Sequence, residues 1–254
     1  MMTEPKVLLE INAGVARITL NRPDKRNALS GELISALKNA VAEAARDPQC
    51  RVVLLTGAGA DFCSGADLAG LEKTSTASVL DNMADARVMA ELFLAMRNHP
   101  HPIVAAVQGR ALAGGCGLAT ACDIILAAES AQFGYPEVNI GFVPAMVMAI
   151  LRRSVSEKAA FELVVTGQAV SAARARELGL IHHVYSDDRF AAEVETYVKH
   201  LASRSASAVM LSKRLLYQMD SMSFEAALEA GVEVNAIARM TEDCKRGVER
   251  FLKK

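Results

Sequence analysis

Two glycine-rich segments of this 254-residue chain could supply backbone N–H groups to a reacting oxygen atom. The first, AGADFCSGADL (58–68), follows the apolar run RVVLLTG (51–57), and the second, RALAGGCG (110–117), follows IVAAVQG (103–109). Short apolar runs of this kind are typical of buried strands. A glycine-rich loop that leads from a strand into a helix presents unpaired N–H groups where the helix dipole is positive. Two such loops can converge on one oxygen.

A single glutamate, Glu137, could move a proton. Its neighbours Tyr135, Pro136 and Val138 are largely apolar, and a carboxylate in an apolar cleft has a raised pKa that suits proton transfer near neutral pH. A lone glutamate after a proline turn is more commonly a surface residue. Both interpretations of Glu137 stay open on the residues alone.

Other familiar site chemistries do not match the sequence. The glycines between 109 and 117 lie in mid-chain with the wrong spacing for a dinucleotide-binding fingerprint, and neither a Walker A loop nor a G-x-S-x-G elbow occurs. The histidines of HPHP (99–102) and HH (182–183) have no glutamate or cysteine at a helpful spacing. We therefore expect no metal site.

Composition indicates one large globular unit. The chain is 52% hydrophobic and 22% charged, and its net charge of −1 gives no global field to attract nucleic acid or an anionic membrane. The five cysteines are odd in number and form no CxxC pair, which favours a reducing cytosol. We see no signal peptide, and charged residues interrupt the longest apolar stretch (103–128), so we expect a cytoplasmic protein with no membrane helix.

The pattern predicts a mixed α/β region followed by helices. Residues 6–20 read as a hairpin, and Ser30 is expected to cap a helix that buries apolar residues spaced at three and four positions: Leu33, Leu37, Val41 and Ala44. Helices are predicted at 72–98 and 115–122, a third strand at 122–128, and a broken extended segment at 132–141.

Towards the C-terminus, the pattern becomes helical. Ser171 and Gly179 bracket a short helix, and 181–186 reads as a final strand. Residues 187–254 predict three helices without a strand.

Five segments in register resemble the enoyl-CoA hydratase/isomerase (crotonase) family. They are VARITLNRPDKRNALS (15–30), FCSGADL (62–68), IVAAVQGRALAGGCGLATACD (103–123), AQFGYPEVNIGFVP (131–144) and TGQAVSAARARELGLIHHV (166–184). Each segment is weak alone, but their order and spacing cover nearly the whole chain.

The resemblance implies an oxyanion hole made by the backbone amides of Ala66 and Gly114, with Glu137 as the acid/base. Donors fixed in advance stabilise the enolate of a thioester, and the loss of one such donor typically costs about 2.7–4 kcal/mol of barrier. Glycine at 114 would let the chain approach closely.

The sequence departs from the family pattern at Gly117. Hydratases of the family that use two carboxylates carry a glutamate there, three residues after the oxyanion glycine. The stretch AMVMAI after Pro144 also replaces a glycine-rich stretch common in those relatives. A single carboxylate is better suited to moving one proton between carbons than to adding water.

The resemblance also implies where substrate and coenzyme A bind. The predicted set is Lys25, Arg26, Ala28, Gly65, Asp67, Leu68, Gly115 and Phe251. Lys25 and Arg26, with Arg22, form a basic cluster that could offset phosphate charge or could be plain surface charge. Phe251, Lys213 and Lys254 belong to a tail that approaches coenzyme A of a neighbouring subunit in some family members.

Two further side chains have alternative interpretations. Asp67 could be a second acid or base, but we expect it to cap the next helix. Arg87, near Asp85, could pair with a carboxylate on the acyl chain, but a solvated helix charge is the expectation.

We therefore expect the α/β crotonase (ClpP-like) fold of repeated β-β-α units, with two roughly perpendicular sheets in a core at 1–195 and a helical trimerisation region at 196–254. The expected protein is a homotrimer or dimer of trimers. It would isomerise or hydrate an enoyl-CoA with no cofactor beyond the coenzyme A of its substrate. The alternatives are a decarboxylase, a racemase, a glutaconyl-type hydratase, or an acyl-CoA binder without activity.

Overall fold

The computed structural model describes residues 4–67, 70, 72 and 76–253. The strands in this part are β1 (Val7–Asn12), β2 (Val15–Leu20), β3 (Val52–Gly57), β4 (Ile103–Val107), β5 (Arg110–Leu112), β6 (Ile124–Ala128), β7 (Gln132–Gly134), β8 (Val170–Ser171) and β9 (His183–Tyr185). The helices are α1 (Gly31–Arg46), α2 (Val79–Arg97), α3 (Gly114–Thr120), α4 (Ala145–Ser154), α5 (Glu157–Thr166), α6 (Ala172–Glu177), α7 (Phe190–Ala202), α8 (Ala206–Gln218), α9 (Phe224–Met240) and α10 (Glu242–Leu252).

The larger sheet has the order β1-β2-β3-β4-β6-β9, with β1 and β2 antiparallel and the remaining pairs parallel. The predicted hairpin is confirmed, and its turn residues Ala13 and Gly14 both have positive φ, as a type I′ turn requires. The five residues of β4 are all buried, which explains its unbroken apolar sequence.

The smaller sheet has the order β5-β7-β8 and positions the candidate site. Strands β5 and β7 are parallel, with Leu112 opposite Gly134. Because both strands end at the same edge, the loop before α3 lies beside the turn that carries Glu137.

Local capping signals are confirmed. The hydroxyl of Ser30 accepts from the Leu33 N–H at the start of α1, and that of Ser171 accepts from the Arg174 N–H at the start of α6. The broken extended segment was only half right, because β7 is followed by a 3-10 turn at Pro136–Ile140. Proline begins this turn with a φ suited to helical geometry.

The C-terminal region contains four helices among its described residues, α7 to α10, so the predicted three is wrong. Ser205, Ser223 and Thr241 each accept a hydrogen bond from the N–H three residues ahead and begin a new helix. Helix α7 buries Val194 and Val198 against the larger sheet and crosses the predicted boundary at 195. The division at that boundary stays a prediction.

Helix α8 is attached to the core by buried polar groups. The ammonium group of Lys213 donates to the Asp123 carboxylate at 2.7 Å, and the Tyr217 hydroxyl donates to the other oxygen of Asp123. Asp123 also accepts from the Ile103 N–H at 2.6 Å, at the start of β4. None of the described helices is long and apolar enough to cross a bilayer.

Candidate active site

The two glycine-rich loops lie side by side, as the sequence predicted. The Cys63 N–H donates to the Arg110 carbonyl at 3.0 Å, and the Leu112 N–H donates to the Cys63 carbonyl at the same distance. These bonds form a parallel bridge between Cys63 and Ala111. The segment that leads to Ala66 therefore runs alongside the segment that leads to Gly114.

Two glycines allow this close approach. Gly65 has a φ of +99°, and a Cβ on it would lie 2.8 Å from the Ala113 Cβ. A Cβ on Gly115 would lie 2.3 Å from the Cys63 carbonyl oxygen. Only hydrogen fits at either position, so both glycines are required for the loops to pack. At Gly114 the nearest atom to an added Cβ is the flexible end of Leu29 at 3.1 Å, so the close approach rests on the neighbouring glycines.

The amides of Ala66 and Gly114 are both available as donors. The Leu29 N–H donates to the Gly65 carbonyl and the Asp67 N–H donates to the Leu29 carbonyl, so the Ala66 N–H points to the opposite side of the chain. Within the described part of the chain, no group accepts from it. Gly114 is the first residue of α3, and an N–H in the first helical turn has no intrahelical acceptor.

Ala113 holds a backbone conformation that L-residues rarely adopt, with φ 51° and ψ −128°. Its N–H donates to the Gly134 carbonyl at 2.8 Å, which fixes it against β7. A conformation of this kind costs on the order of 1–3 kcal/mol and persists only where the surroundings hold it. Here it directs the chain into α3 and orients the Gly114 amide.

Glu137 lies in the 3-10 turn after β7 and is only 9% exposed. Its Oε2 is buried and has no hydrogen-bond partner within the described structure. Burial raises the pKa of the carboxyl, although a backbone hydrogen bond opposes the shift. The predicted raised pKa is thus confirmed, and Glu137 is a buried acid rather than a surface residue.

Gly117 is buried in α3 and faces α4. A Cβ on Gly117 would lie 2.4 Å from Cγ2 of Val147. The side chain of Val147 therefore fills the space beside the position where two-carboxylate relatives would carry their second glutamate.

The basic loop at 22–28 divides into two parts. Lys25 and Arg26 are exposed, whereas Arg22 forms an ion pair with Asp67 at 2.8 Å and donates to the carbonyl of the buried Ala28 at 2.7 Å. The Arg22 charge is thus offset by Asp67, and the role of the loop in binding phosphate stays a prediction. Whether Asp67 also caps the next helix, and where Leu68 lies, fall outside the described residues.

The remaining candidates are exposed or have partners elsewhere in the fold. Phe251 is 78% exposed near the end of α10, and Asp85 and Arg87 are exposed on α2. The side chain of Lys213 is 8% exposed and pairs with Asp123, so it is not an exposed cation of the tail.

His99 is buried, which lowers its pKa to about 4, and its Nδ1 accepts from the His101 N–H. The described ranges hold no group of three side chains suited to a metal ion.

The family model for enoyl-CoA hydratase/isomerase matches residues 10–254. The chain belongs to the enoyl-CoA hydratase/isomerase family. It is therefore an acyl-CoA enzyme of the crotonase fold.

Relatives of known name and a solved structure match this chain over almost its full length. A provisionally named enoyl-CoA hydratase of Thermus thermophilus is 38% identical, covering 97% of this chain and 98% of its own. The 2,3-dehydroadipyl-CoA hydratase of Escherichia coli is 33% identical, covering 94% and 92%. The crystal structure of an enoyl-CoA hydratase from Mycobacterium smegmatis superposes with a TM-score of 0.94 at 33% identity, covering 98% and 97%.

Sequence reasoning missed three contacts that support this family site. Asp61 binds Arg110 through both carboxylate oxygens and joins the first loop to β5. Burial alone would raise the pKa of Asp61, but the bonds and charge of Arg110 lower it. The buried Asn27 donates to the carbonyls of Ala58 and Asp61 and so holds the start of the first loop in place. These contacts and the Arg22–Asp67 pair join residues more than 30 positions apart, and no local pattern reveals them.

Proposed function

We propose that this enzyme moves a proton on an enoyl-CoA thioester, converting a Δ3-enoyl-CoA into the Δ2 isomer with Glu137 as its only acid/base. The observation that carries this proposal is the buried, unpartnered carboxylate oxygen of Glu137 next to the loops with two free amides. A carboxyl with a raised pKa can accept a proton and return it near neutral pH.

The amides of Ala66 and Gly114 would hold the thioester oxygen. Removal of an α-proton makes that oxygen an oxyanion, and two fixed N–H donors stabilise the charge without rearrangement. Their support is the rigid packing around Gly65, Gly115 and Ala113.

The proton would travel between two carbons. Glu137 takes a proton from C2, the C–H electron pair forms the C1=C2 bond of the dienolate, and the carbonyl pair moves to oxygen. In the return step the carbonyl re-forms, the double bond moves to C2=C3, and the former C3=C4 pair takes the proton from Glu137 at C4. Atoms and electrons balance without water or a cofactor.

Hydration is the second candidate, and the names of the relatives favour it. Both curated relatives above are named as hydratases. In that case Glu137 would take a proton from a water molecule as its oxygen adds to C3, and would return that proton to C2. The absence of a side chain at Gly117 favours isomerisation, because water addition is best served by two carboxylates around one water.

Substrate handling is proposed from the same geometry. Exposed Lys25 and Arg26 would approach the phosphates of coenzyme A, with Ala28 and the two loops forming the wall. Phe251 would act from a neighbouring subunit of a homotrimer.

A substrate panel tests the reaction. We expect trans-3-hexenoyl-CoA to be converted into the conjugated 2-enoyl thioester, with slower water addition to trans-2-hexenoyl-CoA. Glu137→Gln should reduce turnover by about 10²–10⁴-fold, since it removes the proton carrier. The matched control is Glu129→Gln, an exposed glutamate directly after β6. Unchanged activity of Glu137→Gln on both substrates would contradict the role, and faster water addition than isomerisation would select the second candidate.

A further inference from the structure

Gly117 and Val147 form a close contact between α3 and α4. The Val147 side chain is 4% exposed, and a Cβ at 117 would lie 2.4 Å from its Cγ2 and 3.4 Å from both its Cβ and its Cγ1. Contacts under 3.0 Å essentially never occur for real Cβ atoms. Valine in a helix has one strongly preferred χ1 rotamer, so its methyl group cannot swing aside without cost.

This contact involves the helix that packs against the segment of the proposed proton carrier. Gly117 follows Cys116, whose buried thiol is close enough to feel the Glu137 charge. The Thr120 hydroxyl, in the next turn of α3, hydrogen-bonds the Tyr135 hydroxyl at 2.8 Å, two residues before Glu137. Helix α3 and the Glu137 turn are therefore packed together, and a side chain at 117 would have to enter the space that Val147 fills.

We propose that Val147 determines the reaction by keeping the site to a single carboxylate. The proposal rests on the proposed role of Glu137 and assigns the choice of reaction to a residue that need not touch substrate. Hydrocarbon in the space at position 117 denies a water molecule at Glu137 its second polar partner, so proton return to carbon is favoured over water addition. The two departures from the family pattern, Gly117 and the AMVMAI stretch that contains Val147, are therefore coupled. Valine at 147 requires glycine at 117.

Helix propensity supports the coupling. Glycine is a poor residue for a helix interior, and alanine would normally stabilise it. Gly117 lies within α3 and is buried, where the benefit of alanine would be expected. The Val147 methyl group explains why glycine is required at this position.

Four proteins test the effect on reaction: wild type, Gly117→Glu, Val147→Ala and the double variant, each assayed for hydration of trans-2-hexenoyl-CoA. With alanine at 147 the nearest atom to a Cβ at 117 is the Cβ at 3.4 Å, an ordinary contact. We expect the double variant to hydrate at least about tenfold faster than wild type and either single variant. An equal gain from Gly117→Glu alone, or no gain in a folded double variant that still isomerises, would overturn the proposal.

A thermal cycle tests the contact without activity. We expect Gly117→Ala to lower the unfolding midpoint by about 5 °C in wild type, because it overpacks the contact, and by less than about 1 °C in the Val147→Ala background. Equal shifts in both backgrounds would overturn the coupling. Coupled shifts in an enzyme that shows no Glu137-dependent turnover would instead reject the proposed function and leave the contact in place.

Discussion

The role proposed for Gly114 rests on its main-chain N–H, and this role can be tested separately from the space at position 114. Gly114 is the first residue of α3, where proline is well tolerated because that N–H has no helical partner. Gly114→Pro should therefore keep the helix and delete the oxyanion donor. We expect kcat to fall about 10²–10³-fold, measured with trans-3-hexenoyl-CoA.

The matched control is Gly114→Ala, which keeps the N–H and meets only the movable end of Leu29. We expect its kcat to stay within a few-fold of wild type. Equal losses in both variants would show that the space occupied at position 114, and not the N–H donor, determines kcat.

Single residues also show where sequence reasoning succeeds. Apolar neighbours indicated a raised pKa for Glu137 but left a surface position open, and burial in the fold is what raises that pKa. The ion pair of Asp67 could not be predicted, because its partner Arg22 lies 45 positions away. The strained φ of Ala113 was also unforeseen, since alanine carries no signal for it.

Among the elements, α8 is attached to the core through Asp123, which pairs with Lys213 and accepts from the Tyr217 hydroxyl. The Lys213 and Asp123 side chains are 8% and 12% exposed, so removal of the carboxylate charge leaves a buried cation without its partner. Asp123→Asn should lower the free energy of unfolding by about 3–5 kcal/mol, measured by urea denaturation.

Asp220→Asn is the comparison, because Asp220 pairs with Arg97 and Arg153 at the surface. Pairs of that kind contribute about 0–1 kcal/mol. A loss for Asp123→Asn no larger than that for Asp220→Asn would contradict the anchoring role.

Elements with local signals were predictable, and those fixed by packing were less so. Ser30 and Ser171 identified helix starts, and the alternation in 15–20 identified a strand. The 3-10 turn at Pro136–Ile140 looked extended because proline begins it and glycine follows it. The C-terminal helices were miscounted because three serine and threonine caps divide a region of continuous helical character.

At the scale of the whole molecule, the C-terminal helices leave apolar surface exposed in a single copy of the chain. No residue of α8, α9 or α10 is buried, and α9 exposes a stripe of apolar residues spaced by four or eight positions: Phe224, Leu228, Val232 and Met240. Exposed apolar stripes of this kind mark interaction surfaces. We propose that α9 packs against other copies of this chain in the expected homotrimer or dimer of trimers.

Leu228→Glu should shift the protein from oligomer to monomer in sedimentation experiments, since a buried charge at an interface lacks a partner. Thr196→Glu adds the same charge at an exposed polar position of α7 and should leave the mass unchanged. A monomeric wild type, or an unchanged oligomer for Leu228→Glu, would contradict this assembly.

Proton exchange tests the central claim most directly, because it depends on enolate formation whichever product follows. Wild type incubated with trans-3-hexenoyl-CoA in deuterated water should incorporate deuterium at C2 or C4, measured by NMR, with a rate that falls as pH drops through the raised pKa of Glu137. Glu137→Gln should lose the exchange while Glu129→Gln keeps it. Exchange that persists in Glu137→Gln, or its absence in wild type that binds the thioester, would contradict the account.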